Sequence, residues 1–369
     1  YGYWGTQFGM VLYAFKHWGD EQKVKEDPVN ELVRLYIDMD KKIEADPTLR
    51  EAAKAEFKKL EDGDKDNLKL CKWFVDASVD VFEQMYKRLD ILPFDYNLGE
   101  SYYESLMKKD VKDLLASGIA TQEGNMIYVD LEKYKLGRCI FIKSDGASTY
   151  HLRDLSTYRP RIKKLKTNRN LYVVDSRQSH HFKQLFKVVE LLGWPGLAKT
   201  EHVSYGFITL PEGSLSTRKG RIVQAIDVIN EGFKRSHAVI EEKNPDLKDK
   251  DAVAAEVTRA AIKFANLLAN RDSDIIFEWD KVLRFDGDTG PYLQYTYARI
   301  KSVLRRAGVK KPNKLSFALA APNEHEIAML RWLYRFPEEI EIALRENDPH
   351  GIAEFLLQTS HRFNRFYEH

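Results

Sequence analysis

A parallel α/β sheet carrying a helical insertion, followed by an all-α bundle, is the fold class that the sequence predicts, and three observations predict it. Asn170-Leu171-Tyr172-Val173-Val174 and Val203 to Leu210 are apolar runs of strand type, separated by a segment, His180 to Leu192, whose apolar residues repeat at helical spacing. Strand, helix and strand in that order imply parallel pairing. Pro28 to about Leu89 reads as helix, and beyond residue 250 the chain reads as helix throughout.

Taken in order, residues 1–22 read as a loop and a helix rich in glycine and aromatics. Two helices follow. Leu32, Leu35, Tyr36 and Met39 share one face, and Phe74, Val75, Val79, Phe82 and Met85 share another, with the acidic turn Glu61-Asp62-Gly63-Asp64 between them. They have the look of an insertion packed on a core. After Pro93 the character changes, and Met126-Ile127-Tyr128-Val129 and Arg138 to Lys143 are short strands. Ser144-Asp145-Gly146 separates Cys139–Lys143 from Ser148–Leu152, and Asp-Gly between two such runs signals a hairpin. The run 170–174 is of the kind buried on both faces of a sheet. Ala252–Asn270, Gly290–Arg306, Glu324–Glu346 and His350–Tyr367 are the helices of a bundle.

The 369 residues suit about two or three domains. The hydrophobic fraction is 43%, and no apolar run of about 18 residues could span a membrane. Two cysteines far apart, Cys71 and Cys139, exclude a disulfide framework and a cysteine-rich zinc site, and fit a reducing compartment. The chain opens in mid-element at Tyr1-Gly2-Tyr3-Trp4 without a methionine, which suggests a longer parent protein. A net charge of +2 hides segregation: Arg159 to Arg169 holds six cations and no acid, and Arg299 to Lys311 holds six more. Such runs suit a polyanion or a solvated face beside acidic neighbours.

Four constellations could carry chemistry. Tyr150 stands at the end of a strand and Asp154 one helical turn on, so a phenol and a carboxylate can converge on a cation, with the fork geometry that separates guanidinium from ammonium. On spacing alone Asp154 could instead cap a helix or pair with the neighbours of Arg153. Asp175 to His181 follows a strand, where α/β sheets hold ligands. His180 and His181 invite a metal, but adjacent helical residues diverge by about 100° and no Cys or Glu completes a set, so no metal is expected. Gly213-Ser214-Leu215-Ser216-Thr217-Arg218-Lys219-Gly220 can wrap a triphosphate, with Arg218 and Lys219 opposing charge on leaving pyrophosphate, or can be a solvated loop. In Gly290 to Arg306, Tyr292 and Arg299 share a face that Arg306 extends. An aromatic and arginines so placed hold unpaired RNA, though a Tyr-rich core helix has the same period.

Together these segments resemble the arginyl-tRNA synthetases along nearly the whole chain. Trp4-Gly5-Thr6-Gln7-Phe8-Gly9 is similar to the family's Trp-Gly-x-Gln-Phe-Gly stretch. Lys143-Ser144-Asp145-Gly146 through Tyr150 and Arg153-Asp154 resembles its Lys-Ser-Asp-Gly and Tyr-x-x-Arg-Asp motif. Gly287-Asp288-Thr289-Gly290-Pro291-Tyr292-Leu293-Gln294-Tyr295 is similar to the most specific motif of the set.

The resemblance implies a class I Rossmann-type parallel sheet with a helical insertion, plus an all-α anticodon-binding bundle. Residues 1–135 would be the remainder of the first half of the catalytic domain, 136–250 its second half, and 251–369 an incomplete anticodon-binding domain. It implies that Tyr150, Asp154 and Gln178 read arginine and that His181 lies near the adenosine. Ser216, Thr217, Arg218 and Lys219 would correspond to the Lys-Met-Ser-Lys-Ser loop and serve catalysis, Ser216 and Lys219 also binding ATP. Tyr292, Arg299 and Arg306 would meet tRNA. ATP with Mg2+ is the implied co-substrate, the first step would need bound tRNA, and a cytoplasmic monomer is expected.

Two features depart from the family. Ser214 and Thr217 stand where class I loops carry lysines, and the His-Ile-Gly-His element is absent and expected upstream of Tyr1. Two other readings therefore stay open: a non-catalytic synthetase-like RNA-binding protein, and another class I synthetase of related build.

Overall fold

A computed structural model describes residues 5–209, 211, 224–309 and 322–368. The chain divides into two compact units. The first includes the chain up to Gln84 and Leu92–Tyr205; the second includes Met85–Ile91 and 224–368.

The first unit opens on helices α1 (Thr6–Trp18), α2 (Glu21–Glu26), α3 (Pro28–Ala45), α4 (Thr48–Glu61) and α5 (Lys65–Arg88), the last turn of α5 belonging to the second unit. Asp20 and Asp27 cap α2 and α3, each carboxylate accepting from backbone N–H groups of the first turn. Where the sequence predicts two helices over 28–89, there are three. The additional break falls at Asp46-Pro47, where a proline can begin a helix but not continue one. The acidic turn is as expected, with Gly63 at φ 86°.

Helix α1 is the keel of this region. Leu12 packs with Val24, Leu60, Cys71 and Phe74, while Met10 and Ala14 pack with Leu35, Met39, Ile43 and Ala53. Gly9 permits the approach of α4: a Cβ there would lie 2.2 Å from the Ala53 carbonyl oxygen. One polar clasp crosses the helices. Lys16 donates to Glu56 Oε2 at 2.5 Å and to Asn67, and Lys59 donates to Glu56 Oε1 at 2.7 Å. Burial opposes the charge on Glu56, but the donors Lys16, Lys59 and Asn67 prevail and bring its carboxyl down to about 2.

After α6 (Glu104–Ala116) come β1 (Ala120–Glu123), β2 (Met126–Asp130) and β3 (Arg138–Ile142), an antiparallel sheet in that order. The predicted hairpin is only half formed. Gly146, at φ 84°, makes the turn, but Ser148 contributes a single bridge to Ile142 and the chain then enters α7 (Tyr150–Lys163). Tyr150 thus begins a helix rather than ending a strand. Strands β4 (Asn170–Asp175) and β5 (Thr200–Tyr205) pair in parallel across the crossover helix α8 (Ser179–Leu191), as the strand, helix, strand order predicts. The single strand expected over Val203 to Leu210, however, ends at Tyr205, and Ile208–Thr209 belong to a separate sheet. Leu152, Leu155 and Tyr158 of α7 and Phe182, Leu185, Val188 and Val189 of α8 share one core with Val129, Cys139 and Phe141 of the antiparallel sheet. β4 is not buried on both faces: Tyr172 is enclosed, whereas Val173 is 64% exposed, because α8 covers one side and no described element covers the other.

The second unit contains β6 (Ile208–Thr209), α9 (Ala225–Lys243), α10 (Lys250–Leu268), β7 (Ile275–Ile276), α11 (Trp279–Val282), α12 (Gly290–Arg306), α13 (Glu324–Tyr334), α14 (Phe336–Glu346) and α15 (His350–Glu368). β6 and β7 pair in parallel. The helix expected over 324–346 is two helices, because Pro337 lacks an amide hydrogen and so belongs to a first turn. Gly290 seats α12 on α10, a Cβ there lying 2.3 Å from the Ala260 carbonyl oxygen. Phe264, Ala353 and Leu357 join α10 to α15, with Tyr292 and Leu293 of α12 against them. Among the described residues no helix is long and apolar enough to cross a membrane.

Candidate functional site

The first-unit site is assembled by the ends of three elements. β4 delivers Asp175 at its carboxyl end, a short 3-10 turn (Ser176–Gln178) follows, and α8 begins at once. Asp175 accepts from the Arg177 backbone N–H at 3.1 Å, and its Oδ2 accepts from Gln178 Nε2 at 3.3 Å. Burial works against ionisation of Asp175, yet Arg177 and Gln178 hold its carboxyl below the usual range. Gln178 is exposed; with Nε2 turned to Asp175, its carbonyl oxygen is what it can offer a cation.

From α7, Tyr150 and Asp154 project one turn apart. Tyr150 is 65% exposed, and the Arg153 guanidinium lies 5.5 Å from its ring centre. Asp154 caps nothing here, which removes one of the alternatives open from sequence. Its Oδ2 instead accepts from His181 Nε2 at 2.6 Å, so Asp154 is brought against the first turn of α8, three residues beyond Gln178. His181 is mostly buried, whereas His180 is exposed, the divergence expected of helical neighbours. Chemically, the structure offers a carboxylate held at the first turn of α8, with an exposed phenol one turn away on α7 and an exposed amide three residues before His181, groups suited to a planar cation.

Two members of the cluster are not singled out by sequence reasoning. His151 Nε2 meets Gln184 Oε1 at 2.9 Å, and Gln184 Nε2 donates to the Leu136 carbonyl oxygen at 2.7 Å. Burial first, and then the neighbouring His181, push His151 down to about 4, so it is neutral near pH 7. The sequence signal for Gln184 is an amide inside the apolar stripe Phe182, Leu185, Val188 and Val189.

In the second unit, Tyr292 and Arg299 do share a face of α12, and that face meets α15. Asn364 Nδ2 donates to Tyr292 Oη at 2.8 Å, while Asn364 Oδ1 accepts from Arg299 Nη1 at 2.9 Å. Arg299 also lies over the rings of Tyr295 and Tyr367 at 4.7 and 5.2 Å. Arg306 is exposed at the end of the helix. Tyr292 therefore combines the two readings left open by periodicity, being partly packed and partly accessible. Ser216, Thr217, Arg218 and Lys219 lie outside the described residues.

With this geometry in hand, comparison with known proteins gives a consistent result. The family described as tRNA synthetases class I (R), catalytic domain, matches residues 1–279, and the DALR anticodon binding domain matches residues 293–369. An arginine–tRNA ligase of Streptococcus uberis is 40% identical over 368 residues, covering 100% of this chain and 65% of that protein. One from Clostridioides difficile is 38% identical, with 99% and 64% covered. The chain thus spans about two thirds of the length of the curated relatives it matches. Among solved structures, the arginyl-tRNA synthetase of Thermus thermophilus superposes with a TM-score of 0.81 at 25% identity, covering 99% of this chain and 66% of that one. That of Plasmodium falciparum gives 0.79 at 27%, with 99% and 61% covered.

Proposed function

The chain belongs to the class I (R) tRNA synthetases, and from that premise we propose that it serves as an arginine–tRNA ligase, activating arginine with ATP and transferring it to tRNA(Arg). The observation that carries this reading is Asp154, one turn from Tyr150 and held at 2.6 Å by His181, which lies three residues beyond Gln178. The carboxylate takes the guanidinium fork, with the Tyr150 hydroxyl and the Gln178 carbonyl oxygen as further acceptors. His181, which the family resemblance would put near the adenosine, is taken here to hold Asp154 instead.

The arginine carboxylate attacks the α-phosphate of ATP in line, forming the mixed anhydride and releasing pyrophosphate. Ser216, Thr217, Arg218 and Lys219 stabilise charge on that leaving group. The terminal ribose hydroxyl of the tRNA then attacks the adenylate carbonyl, releasing AMP. Mg2+ would enter with the nucleotide, where it would shield phosphate charge. Tyr292, Arg299 and Arg306 bind the anticodon region. We read the enzyme as a cytoplasmic monomer; its two free, buried cysteines suit a reducing compartment.

The test is ATP–pyrophosphate exchange by the full-length protein across the amino acids, with and without tRNA. Arginine alone should support exchange, and only with tRNA present. Asp154→Asn should raise the arginine KM about 100-fold, because an uncharged amide loses the charge-assisted fork. Exchange with a different amino acid, or an unchanged arginine KM in the variant, would overturn the assignment.

A further inference from the structure

Helices α7 and α8 meet through two hydrogen-bonded pairs, Asp154 with His181 and His151 with Gln184, three residues forward on one helix matching three back on the other. The direction of each bond can be assigned. Gln184 is buried, and its Nε2 donates to the carbonyl oxygens of Leu136 at 2.7 Å and Arg138 at 3.3 Å. Its Oε1 is therefore the end that faces His151, and His151 Nε2 must carry a hydrogen to donate across 2.9 Å. The His151 ring lies 4.2 Å from that of His181, centre to centre, and Phe182 packs edge-on to His181 at 5.0 Å. Held between these rings, His181 donates through Nε2 to Asp154 Oδ2.

Building on the arginine-binding reading above, we infer that Gln184, His151 and His181 form a positioning chain, anchored on backbone carbonyls, that fixes the plane of the Asp154 carboxylate and so sets the discrimination of guanidinium from ammonium. The His181 bond uses one lone pair of Oδ2, leaving both oxygens able to accept from a ligand. A guanidinium fork engages both oxygens only when the two planes coincide. An ammonium is a compact charge with rotatable donors, indifferent to that plane. Loosening Asp154 therefore harms arginine far more than lysine. The orienting role is that of a group which touches no substrate, as in other sites where a histidine is aligned by what lies behind it.

The experiment uses the full-length protein with tRNA and measures KM for arginine, KM for ATP and the arginine-to-lysine ratio of kcat/KM. Asp154→Asn serves as reference: if it leaves arginine KM unchanged, the arginine reading itself fails. With that reference positive, His181→Ala should raise arginine KM about 10- to 100-fold and lower the arginine-to-lysine ratio, with ATP KM within about 2-fold, the size expected of a small misplacement. His181→Gln, whose Nε2 can replace the imidazole donor, should recover most of the loss. Gln184→Leu should shift arginine KM in the same direction, by about 5-fold. An ATP KM that rises while arginine KM holds would place His181 at the nucleotide and defeat the inference. Equal loss in His181→Gln and His181→Ala, or an unchanged arginine-to-lysine ratio, would defeat it as well. Should His181→Ala fail to fold, Gln184→Leu decides by the same measurements.

Discussion

His151 is a histidine kept neutral where its neighbours need it neutral. Unfolded, such a ring titrates near 6.5; folded, burial and His181 hold it down to about 4. The unfolded chain thus takes up a proton that the folded one refuses between those values. The associated stability is complete above about pH 6.5 and declines as pH falls toward 4, by up to about 3 kcal/mol. Denaturant unfolding at pH 7.5, 5.5 and 4.5 should show this slope, and His151→Gln should flatten it. An identical slope in the variant would count against His151 as its source. At the residue scale the sequence discloses acceptors more readily than what stands behind them. The pairing of Tyr150 with Asp154 one turn on is legible from their spacing, although Tyr150 begins a helix rather than ending the strand expected there. His151 and Gln184 are opaque because their partner carbonyls, at Leu136 and Arg138, come from a strand that chain order alone does not bring near.

Glu56 ties α1, α4 and α5 and illustrates the element scale. Its depressed titration makes its contribution present above about pH 4.5 and lost as pH falls toward 2. Glu56→Gln should lower stability by about 2 kcal/mol at neutral pH, since Lys16 and Lys59 lose the counter-charge held at the buried Glu56, and thermal melts at pH 7 and pH 3 would show the difference shrinking in acid. Gly290→Ala should destabilise by a similar amount, about 2 kcal/mol, because the added methyl meets the Ala260 carbonyl oxygen at 2.3 Å and one helix must shift. A Tm within 1 or so degree of the parent, roughly the scatter of such measurements, would mean that the helices yield freely. These glycines explain parts of the motifs read from sequence: Gly9 and Gly290 are there for close packing. Most helix and strand types were legible, as the β4, α8, β5 unit shows. What periodicity could not see was termination, since Ser148–Leu152 keeps a strand-like composition yet turns helical at Tyr150, and Pro337 interrupts a period that continues on either side.

For the molecule as a whole, a net charge of +2 says little, and the binding of a polyanion is governed by where individual cations stand. Arg306→Ala should weaken tRNA binding without altering the fold, lowering the slope of log affinity against log salt by about 1, as loss of one phosphate contact requires. A filter-binding salt titration that returns the parent slope would remove Arg306 from the interface. Arg299 will behave differently, because it also belongs to the packing of α12 on α15.

That packing converges on one amide. Asn364 serves Tyr292 and Thr296 with its nitrogen and Arg299 with its oxygen, so truncating Tyr292 or Arg299 loosens the amide's hold on the other. Single alanine substitutions at the two positions will each report part of the same loss, and adding them will overstate what the pair contributes. The meaningful quantity for this face is the coupling from a double-mutant cycle, in which the combined variant should lose less than the two singles summed.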